Sequence, residues 1–538
     1  MSIRVSNLRL SVDEPEAALG GRLAQVLGLR ADELTQWRIL RKSLDARNKH
    51  ALQFVYAAEV VVPEEAGRIA ALAQRGRKHR AAVEHYDEPP FAMPAPGSRP
   101  LASRPVVIGS GPAGLVAAYF LAEQGYQPLV LERGRAVRDR IRDVQAFDDG
   151  GPLDPESNYL FGEGGAGTFS DGKLTSRGAG PDVRRVLELF AECKGKPSIL
   201  YDYRPHLGSN RLPAVVKAIR QRIEALGGEV RFSCRVEDIE HCDGRLVNLH
   251  TSAGTIAADA ALLAIGHSAR DTYEMLVRRN VPLAQKPFQM GLRIEQPQEV
   301  VNRVQYGPTK LEMKLGAADY SLVAHGANDV FTFCMCAGGQ IIPSVSAPGT
   351  FCSNGMSLSK RDSPFANSGL VVTVPLEHFG GADVLAGVRL QEVFERRAYA
   401  LSGDEYRCPI QGAQDFVSRR PTRSLPPCSY TRKGLVLADL AELLPDVVRA
   451  AILHGLPQLD RRWHGRFLAN AVLVGPEARG SSPVRIVRDD ASRESPGIDG
   501  LYPVGEGAGY AGGIISAAVD GLRSAKAVVA KYAPLERR

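Results

Sequence analysis

Apolar and polar side chains alternate along residues 3–12, which is the pattern of a half-buried β-strand. In residues 16–27 the apolar side chains instead recur at helical spacing, on one side of a helix. These patterns predict a small α+β module over residues 1–86. Its predicted elements are strands over residues 3–12, 37–44 and 52–62 and helices over residues 16–27 and 64–74.

Residues 87–103 differ from both flanking regions because they are rich in proline, and we expect a stiff, extended linker there. From residue 104 the patterns alternate between strand and helix, which is typical of an α/β domain. That pattern predicts helices over residues 112–123, 212–226 and 514–531 and strands over residues 106–108, 129–131, 229–232, 246–250, 255–256 and 260–265. Residues 285–475 are less regular, with several strand-like runs.

Composition is that of an ordinary globular chain, with 44% hydrophobic and 24% charged residues among 538. No apolar run approaches the roughly 20 residues of a membrane span, and the N-terminus has no secretory apolar segment. We therefore expect no membrane contact and a cytoplasmic location. The eight cysteines form no CxxC pair, so we expect no disulfide framework and no metal site.

A glycine-rich turn follows the strand over residues 106–108 and carries the most informative motif. Gly109 permits the tight turn, Gly111 permits close approach of a pyrophosphate, and Gly114 permits close packing of helix on strand. Glu132 ends the next strand, where a carboxylate can accept both hydroxyls of an adenosine ribose. Strand, turn, helix and acid together predict a dinucleotide site.

A second glycine-rich loop near the C-terminus favours FAD over NAD. Five glycines fall within residues 505–513, directly before the helix predicted from Ile514. The amides and dipole of that helix would stabilise negative charge at the N1–C2=O edge of a reduced flavin. Glu506 is placed to bond the ribityl or pyrophosphate region.

With both glycine-rich motifs considered together, the chain resembles the glutathione-reductase-type FAD flavoproteins. The resemblance implies a split Rossmann-like α/β FAD-binding domain (residues 104–284 and 476–538), an inserted α+β cap or substrate domain (residues 285–475), and the small N-terminal α+β domain. It implies that the cofactor contacts are Gly109, Gly111, Pro112, Ala113, Gly114, Glu132, Arg133, Gly165, Gly167, Ser170, Val236, Gly266, Gly505, Glu506, Gly513 and Ile514.

Three further segments, residues 161–174, 333–339 and 481–485, together with the loop at 505–513, resemble a family of FAD-dependent dehydrogenases whose substrates are generally unassigned. That resemblance implies a family and a cofactor but gives almost no information about the substrate. The glycines of residues 161–174 would let the backbone lie flat against the flavin ring.

Candidate catalytic residues come from these segments and stay open at this point. They are Lys173, His267, Cys334, Cys336 and Arg485. In a regular strand Cys334 and Cys336 would share a face with Cα atoms ~6.6 Å apart, near the upper limit for a disulfide, so packing is the favoured interpretation. A single histidine is more often structural, which is the favoured interpretation of His267. Arg485 would hold an acidic substrate or the flavin O2, or would form a surface ion pair.

The sequence therefore predicts an FAD-dependent oxidoreductase that transfers hydride or electrons through flavin N5. No second nucleotide fingerprint is visible, so NAD(P)H would bind transiently or the organic substrate is itself the reductant. Two alternatives remain: an RNA-modifying flavoprotein using the basic N-terminal module, and an electron-carrying or regulatory flavoprotein. Acidic residues interleave with the basic ones, which favours a solvated face over nucleic-acid binding. Substrate, redox partner and oligomeric state stay open.

Overall fold

A computed structural model describes residues 1–30, 33–34, 36–63, 68–175, 178–308, 312–430 and 432–535. The strands are β1 (Ser2–Ser11), β2 (Trp37–Asp45), β3 (Gln53–Val61), β4 (Ala82–His85), β5 (Val106–Ile108), β6 (Leu129–Leu131), β7 (Glu229–Arg231), β8 (Val236–Cys242), β9 (Arg245–Thr251), β10 (Gly254–Ala257), β11 (Ala261–Leu263), β12 (Leu283–Gln285), β13 (Phe288–Pro297), β14 (Val323–Ala324), β15 (Val330–Cys336), β16 (Gly339–Pro343), β17 (Ser353–Ser357), β18 (Phe365–Val374), β19 (Cys408–Gly412), β20 (Leu435–Leu437), β21 (Val472–Glu477), β22 (Val484–Ile486) and β23 (Leu501–Pro503).

The helices lie between these strands, singly or in succession. They are α1 (Ala18–Leu27), α2 (Arg68–Lys78), α3 (Pro112–Glu123), α4 (Val137–Asp148), α5 (Pro181–Glu192), α6 (Leu212–Ala225), α7 (Arg270–Arg278), α8 (Gln298–Tyr306), α9 (Glu312–Leu315), α10 (Ala386–Leu401), α11 (Ala413–Val417), α12 (Asp446–Arg462) and α13 (Ile514–Lys531). Within the described ranges, no helix has the length and apolar character needed to cross a bilayer.

The N-terminal module is an antiparallel sheet in the order β2-β3-β1-β4, with α1 and α2 packed against it. Its buried core includes Ile3 and Val5 on β1 and Leu19 and Leu23 on α1, so the predicted strand alternation and helix face are confirmed. The second helix lies over Arg68–Lys78, later than predicted, and residues 64–67 of the predicted helix lie outside the described residues.

A parallel five-stranded sheet in the order β23-β11-β5-β6-β7 forms the nucleotide-binding layer. The middle strand β5 pairs with β6 on one side and β11 on the other, and β11 pairs with β23 from the far end of the chain. Helix α13 packs directly on α3, which is apolar and buried all round. The predicted split α/β domain is confirmed, because one sheet takes strands from both ends of the sequence.

The irregular middle of the chain forms a mixed seven-stranded sheet in the order β14-β15-β18-β13-β21-β19-β20, covered by helices that include α12. Its central strands are buried on both faces, so they lack the alternation that identifies an exposed strand. The strand considered for the two cysteines is present as β15, but it is not regular there. The pairing of β15 with β18 shifts register between Phe333 and Cys336, and Cys334 adopts φ +45°.

The proline-rich segment is extended and runs along the end of α13. The Gly97 amide donates to the Val529 carbonyl at 2.8 Å, and the Ala533 amide donates to the Arg99 carbonyl at 2.8 Å. A Cβ atom at Gly97 would lie 2.3 Å from the backbone of Lys531, so this contact requires glycine. The segment is thus packed against the nucleotide-binding domain.

Candidate active site

A cavity of about 380 Å³ opens at the carboxyl ends of the parallel strands. Residues that directly follow β5, β6, β11 and β23 line it, including Gly109, Glu132, Gly266 and Glu506. This edge of an open parallel sheet is where ligands bind in α/β folds. The far wall comes from Cys334 on β15 of the seven-stranded sheet, from Asn354 on β17, and from the second glycine-rich segment around Lys173.

The three glycines of the first turn have distinct geometric roles. Gly109 has φ +102°, a conformation that favours glycine. A Cβ atom at Gly111 would meet no atom within 4 Å, so the backbone there faces open space in the cavity. At Gly114 a Cβ atom would lie 1.9 Å from the Gly109 carbonyl oxygen, so helix and turn touch. Helix α3 then begins at Pro112, with its N-terminal dipole at the cavity.

Glu132 is buried, with 4% of its surface exposed, and its carboxylate accepts four hydrogen bonds from the protein. The amide and hydroxyl of Ser110 donate to Oε2 at 2.9 and 2.6 Å, and the amides of Gly134 and Gly162 donate to Oε1 at 2.9 and 3.0 Å. The carboxylate therefore holds three backbone segments together at the cavity wall. Its contact with a ribose stays a prediction.

A fully buried arginine that the sequence did not reveal fixes the second glycine-rich segment. The Arg140 guanidinium on α4 donates to the carbonyls of Asn158, Glu163 and Gly165 at 2.9, 2.8 and 2.9 Å. It also lies over the Phe169 ring, 4.8 Å from its centroid. Since Gly165 lines the cavity, this one side chain helps to fix the loop where it faces the cavity.

Hydrogen bonds and an ion pair on the side away from the cavity fix the C-terminal glycine loop. The Gly505 amide donates to Asp520 at 2.7 Å, and Asp520 in turn pairs with Arg488 at 2.8 Å. In front, His267 Nδ1 lies 3.3 Å from Glu506 Oε1. The His267 Nε2 atom is buried and has no hydrogen-bond partner among the described residues. A polar ligand in this cavity would supply one.

Lys173 and Asp171 form a buried ion pair at the far wall, with Nζ and Oδ2 2.9 Å apart. Burial alone would raise the pKa of the Asp171 carboxyl, but Lys173 and Arg361 hold it well below its usual range. Burial likewise opposes charge on Lys173, and Asp171 raises the pKa of this ammonium above its usual range. The Lys173 ammonium also donates to the Met335 carbonyl, which ties the glycine segment to β15.

Two more buried ion pairs build the rest of this wall. The Arg293 guanidinium binds the Glu477 carboxylate with two contacts of 2.7 Å. Arg479 binds Glu395 with two contacts of 2.9 Å, and Arg270 binds the same carboxylate at 2.8 Å. Both Glu477 and Arg479 line the cavity.

Most of the sequence-predicted residues come together around this one cavity. Those lining it are Gly109, Gly111, Pro112, Ala113, Glu132, Arg133, Gly165, Gly167, Ser170, Val236, Gly266, Glu506, Gly513 and Ile514, with the catalytic candidates Lys173, His267 and Cys334. Gly114 and Gly505 support the two turns from behind, and Cys336 is buried behind Cys334. Arg485 lies apart from them, exposed and 5.0 Å from the centroid of the Tyr510 ring.

Family models match three parts of the chain. Residues 287–480 match "FAD-dependent protein, C-terminal domain-like", residues 107–167 match an NAD(P)-binding Rossmann-like domain, and residues 2–61 match a domain of unknown function. An uncharacterised protein of Clostridium beijerinckii is 40% identical over 537 residues, 99% of each chain. The chain belongs to this family of FAD-dependent oxidoreductases.

Solved structures with a partly similar fold include glycine oxidase from Bacillus cereus and L-proline dehydrogenase from P. horikoshii. The first is 12% identical, with 79% of this chain and 95% of that chain covered and a TM-score of 0.33. The second is 10% identical, with 80% and 93% covered and a TM-score of 0.33. Overlap at this level carries no argument about activity.

The cavity of this flavoprotein fits FAD on its own geometry. The open backbone at Gly111 and the N-terminus of α3 suit a pyrophosphate, and the unpartnered Nε2 of His267 suits a polar ring edge. When bound, FAD supplies the hydride and electron chemistry of the reaction. Among the described residues, no group of three or more His, Cys, Asp or Glu side chains is arranged to hold a metal ion.

Proposed function

We propose that this FAD-dependent oxidoreductase exchanges a hydride between its flavin and a small molecule at the far wall of the cavity. The single observation that carries the proposal is the continuity of the cavity. The turns at Gly109 and Gly111 line the same space as Lys173, Asn354 and Arg479. A substrate in contact with the far wall would meet the flavin within one cavity, and hydride transfer requires this close approach.

The polar groups of this wall would orient the substrate. Lys173 keeps its charge because Asp171 lies beside it, and the Asn354 amide adds hydrogen-bonding capacity. His267, paired with Glu506, would hold or move a proton at Nε2. Kinship with the glutathione-reductase type of flavoprotein is part of this proposal, supported by the glycine turn before α3 and the split sheet. A cytoplasmic location stays a prediction from the sequence.

We further propose NAD(P)H as the transient reductant. The test is an anaerobic titration of the purified protein with NADPH and then NADH, followed at the visible flavin band. Rapid bleaching with one equivalent is the expected result. Bleaching by dithionite alone would contradict a nicotinamide reductant and point to an organic substrate or a protein donor.

No observation favours the RNA-modifying alternative. Three of the basic residues of the N-terminal module already have acidic partners: Arg38 pairs with Glu59, Lys42 with Glu16, and Arg47 with Asp45. Phosphate binding would have to displace these carboxylates. Salt-sensitive RNA binding by the purified protein would contradict this argument and support the RNA-modifying alternative.

A further inference from the structure

Two cysteines are brought together by the distortion in β15. The backbone at Cys334 has φ +45°, which is uncommon for a side chain other than glycine. The ladder with β18 resumes only at Cys336. The Cys336 thiol donates to the Cys334 carbonyl oxygen at 3.3 Å, which fixes the two residues against each other.

The pair spans the boundary between the cavity and the core. Cys334 is half-buried and lines the cavity, whereas Cys336 is 0% exposed and lies behind it. A group bound in the cavity can therefore reach only Cys334 directly. This arrangement differs from a purely structural cysteine, which packs with its thiol fully enclosed.

Charged groups around the pair favour a thiolate on the outer cysteine. The neighbouring Cys336 thiol lowers the pKa of Cys334 to about 6, with help from Lys173 and Arg293 and against burial and Asp171. Burial raises the pKa of Cys336. Glu477, which binds Arg293, and Arg361, which pairs with Asp171, complete the charged surroundings. A thiolate beside a neutral thiol is the reactive form in thiol–disulfide chemistry.

We propose that Cys334 and Cys336 are a redox-active dithiol that exchanges two electrons with the FAD of this cavity. In the forward direction the Cys334 thiolate and the Cys336 thiol would form one S–S bond, the Cys336 S–H bond would break, and two electrons and one proton would pass to FAD. In the reverse direction the same two electrons and one proton would break the S–S bond, which regenerates the Cys336 thiol and the Cys334 thiolate beside Lys173. The inference rests on the bound FAD of the proposed function, and it adds a second two-electron store to the enzyme.

The test counts electrons in the holoenzyme. The protein is oxidised with diamide, freed of the reagent and titrated anaerobically with dithionite at the visible flavin band. We expect four electrons per FAD for the wild type and for Cys242→Ser, an exposed cysteine outside the cavity lining. We expect two electrons for Cys336→Ser, because one thiol cannot form the bond.

A second measurement does not depend on turnover or on any variant. Thiols are alkylated after denaturation in acid, before and after the dithionite step, and mapped by mass spectrometry. Cys334 and Cys336 should be protected as a disulfide before reduction and alkylated afterwards, while Cys242 is alkylated in both samples.

Uptake of two electrons by the wild type, with both cysteines alkylated after oxidation, would overturn the dithiol. If NADPH still bleached the flavin in that protein, the proposed hydride transfer would stand without it. Conversely, uptake of four electrons from dithionite without a response to NADPH would support the dithiol and contradict only the nicotinamide reductant.

The pH profile of alkylation separates a reactive thiolate from a packed thiol. In the folded holoenzyme the iodoacetamide rate at Cys334 should rise with pH to a midpoint below the ordinary cysteine value of ~8.5. In Lys173→Met the midpoint should shift upward, because the neighbouring cation is lost. An unchanged midpoint in the variant would contradict the role of Lys173.

Discussion

Single buried charges decide the shape of this active site. Glu395 is 0% exposed and receives two guanidinium groups, from Arg270 and Arg479. Arg479 in turn forms part of the cavity wall. Removing one partner of such a network leaves uncompensated buried charge, which costs far more than the network contributes as a whole.

We expect Glu395→Gln to lower the free energy of unfolding by about 3 kcal/mol at pH 7. Burial opposes the charge of Glu395, but Arg270 and Arg479 lower the pKa of its carboxyl to about 2. A lowered pKa stabilises the fold above the unfolded value of ~4.3, and that stability is lost as pH falls towards about 2.

Urea unfolding of wild type and variant between pH 7 and pH 3 checks this. The difference between them should shrink with acid. Glu392→Gln is the matched control, since Glu392 lies 3.6 Å from Arg270 and is partly exposed. An equal effect of both substitutions would contradict the account.

At this scale the sequence revealed only part of the site. Lys173, His267 and Cys334 lie beside glycine motifs, and all three line the cavity. Arg140 and Glu395 were not identified from the sequence. A charged residue within a predicted helix is normally assigned to the solvent-exposed face of that helix. Arg140 binds carbonyls of the following loop, and Glu395 meets partners 125 and 84 residues away in the chain. Only the folded structure shows these contacts.

Strand and helix ends position the cofactor site, and the turn from β5 to α3 is one of these junctions. The sequence predicted it well: α3 over Pro112–Glu123 and α13 over Ile514–Lys531 begin and end as expected. A glycine directly precedes each of these helices, and this signal predicts where the helix begins. The seven-stranded sheet was not resolved into strands, because its buried central strands show no alternation and several turns carry no strong signal.

We expect Gly114→Ala to destabilise the protein by about 3 kcal/mol, because its Cβ would overlap the Gly109 carbonyl and force α3 away from the turn. Gly21→Ala on α1 is the control, since nothing lies within 4 Å of that position. It should leave stability unchanged or raise it slightly, as alanine favours a helix. Urea unfolding of the FAD-free proteins compares them. Equal midpoints would contradict the packing role of Gly114.

Taken as a whole, the molecule docks its N-terminal module on the other domains. The Lys42 amide on β2 donates to the Tyr201 carbonyl at 2.7 Å, and the Tyr203 amide donates to the Lys42 carbonyl at 2.8 Å. Leu52, next to β3, is buried in the core of the seven-stranded sheet. Sequence patterns predicted the module but not its docking, because an edge strand and one apolar side chain do not specify a partner.

Deleting residues 1–95 should leave an FAD-binding protein of lower stability. The deletion keeps the Gly97 contact with α13 but removes Leu52 from a packed core, a loss of about 2 kcal/mol or more. We expect the thermal midpoint to fall by about 2 °C or more. Differential scanning calorimetry of both holoproteins measures this. A colourless, aggregated product would show that the module is required for the FAD domain to fold.

The central claim is that one cavity, opened by the backbone at Gly111, holds FAD. The most direct test is a titration of FAD-free protein with FAD, for the wild type and for Gly111→Val. We expect the variant to fold, because no atom lies within 4 Å of a Cβ atom at position 111. The valine side chain would, however, occupy the cavity. The account predicts one FAD per wild-type chain and at least roughly tenfold weaker binding by the variant, equal to about 1.4 kcal/mol. Equal binding by both proteins, or none by the wild type, would contradict it.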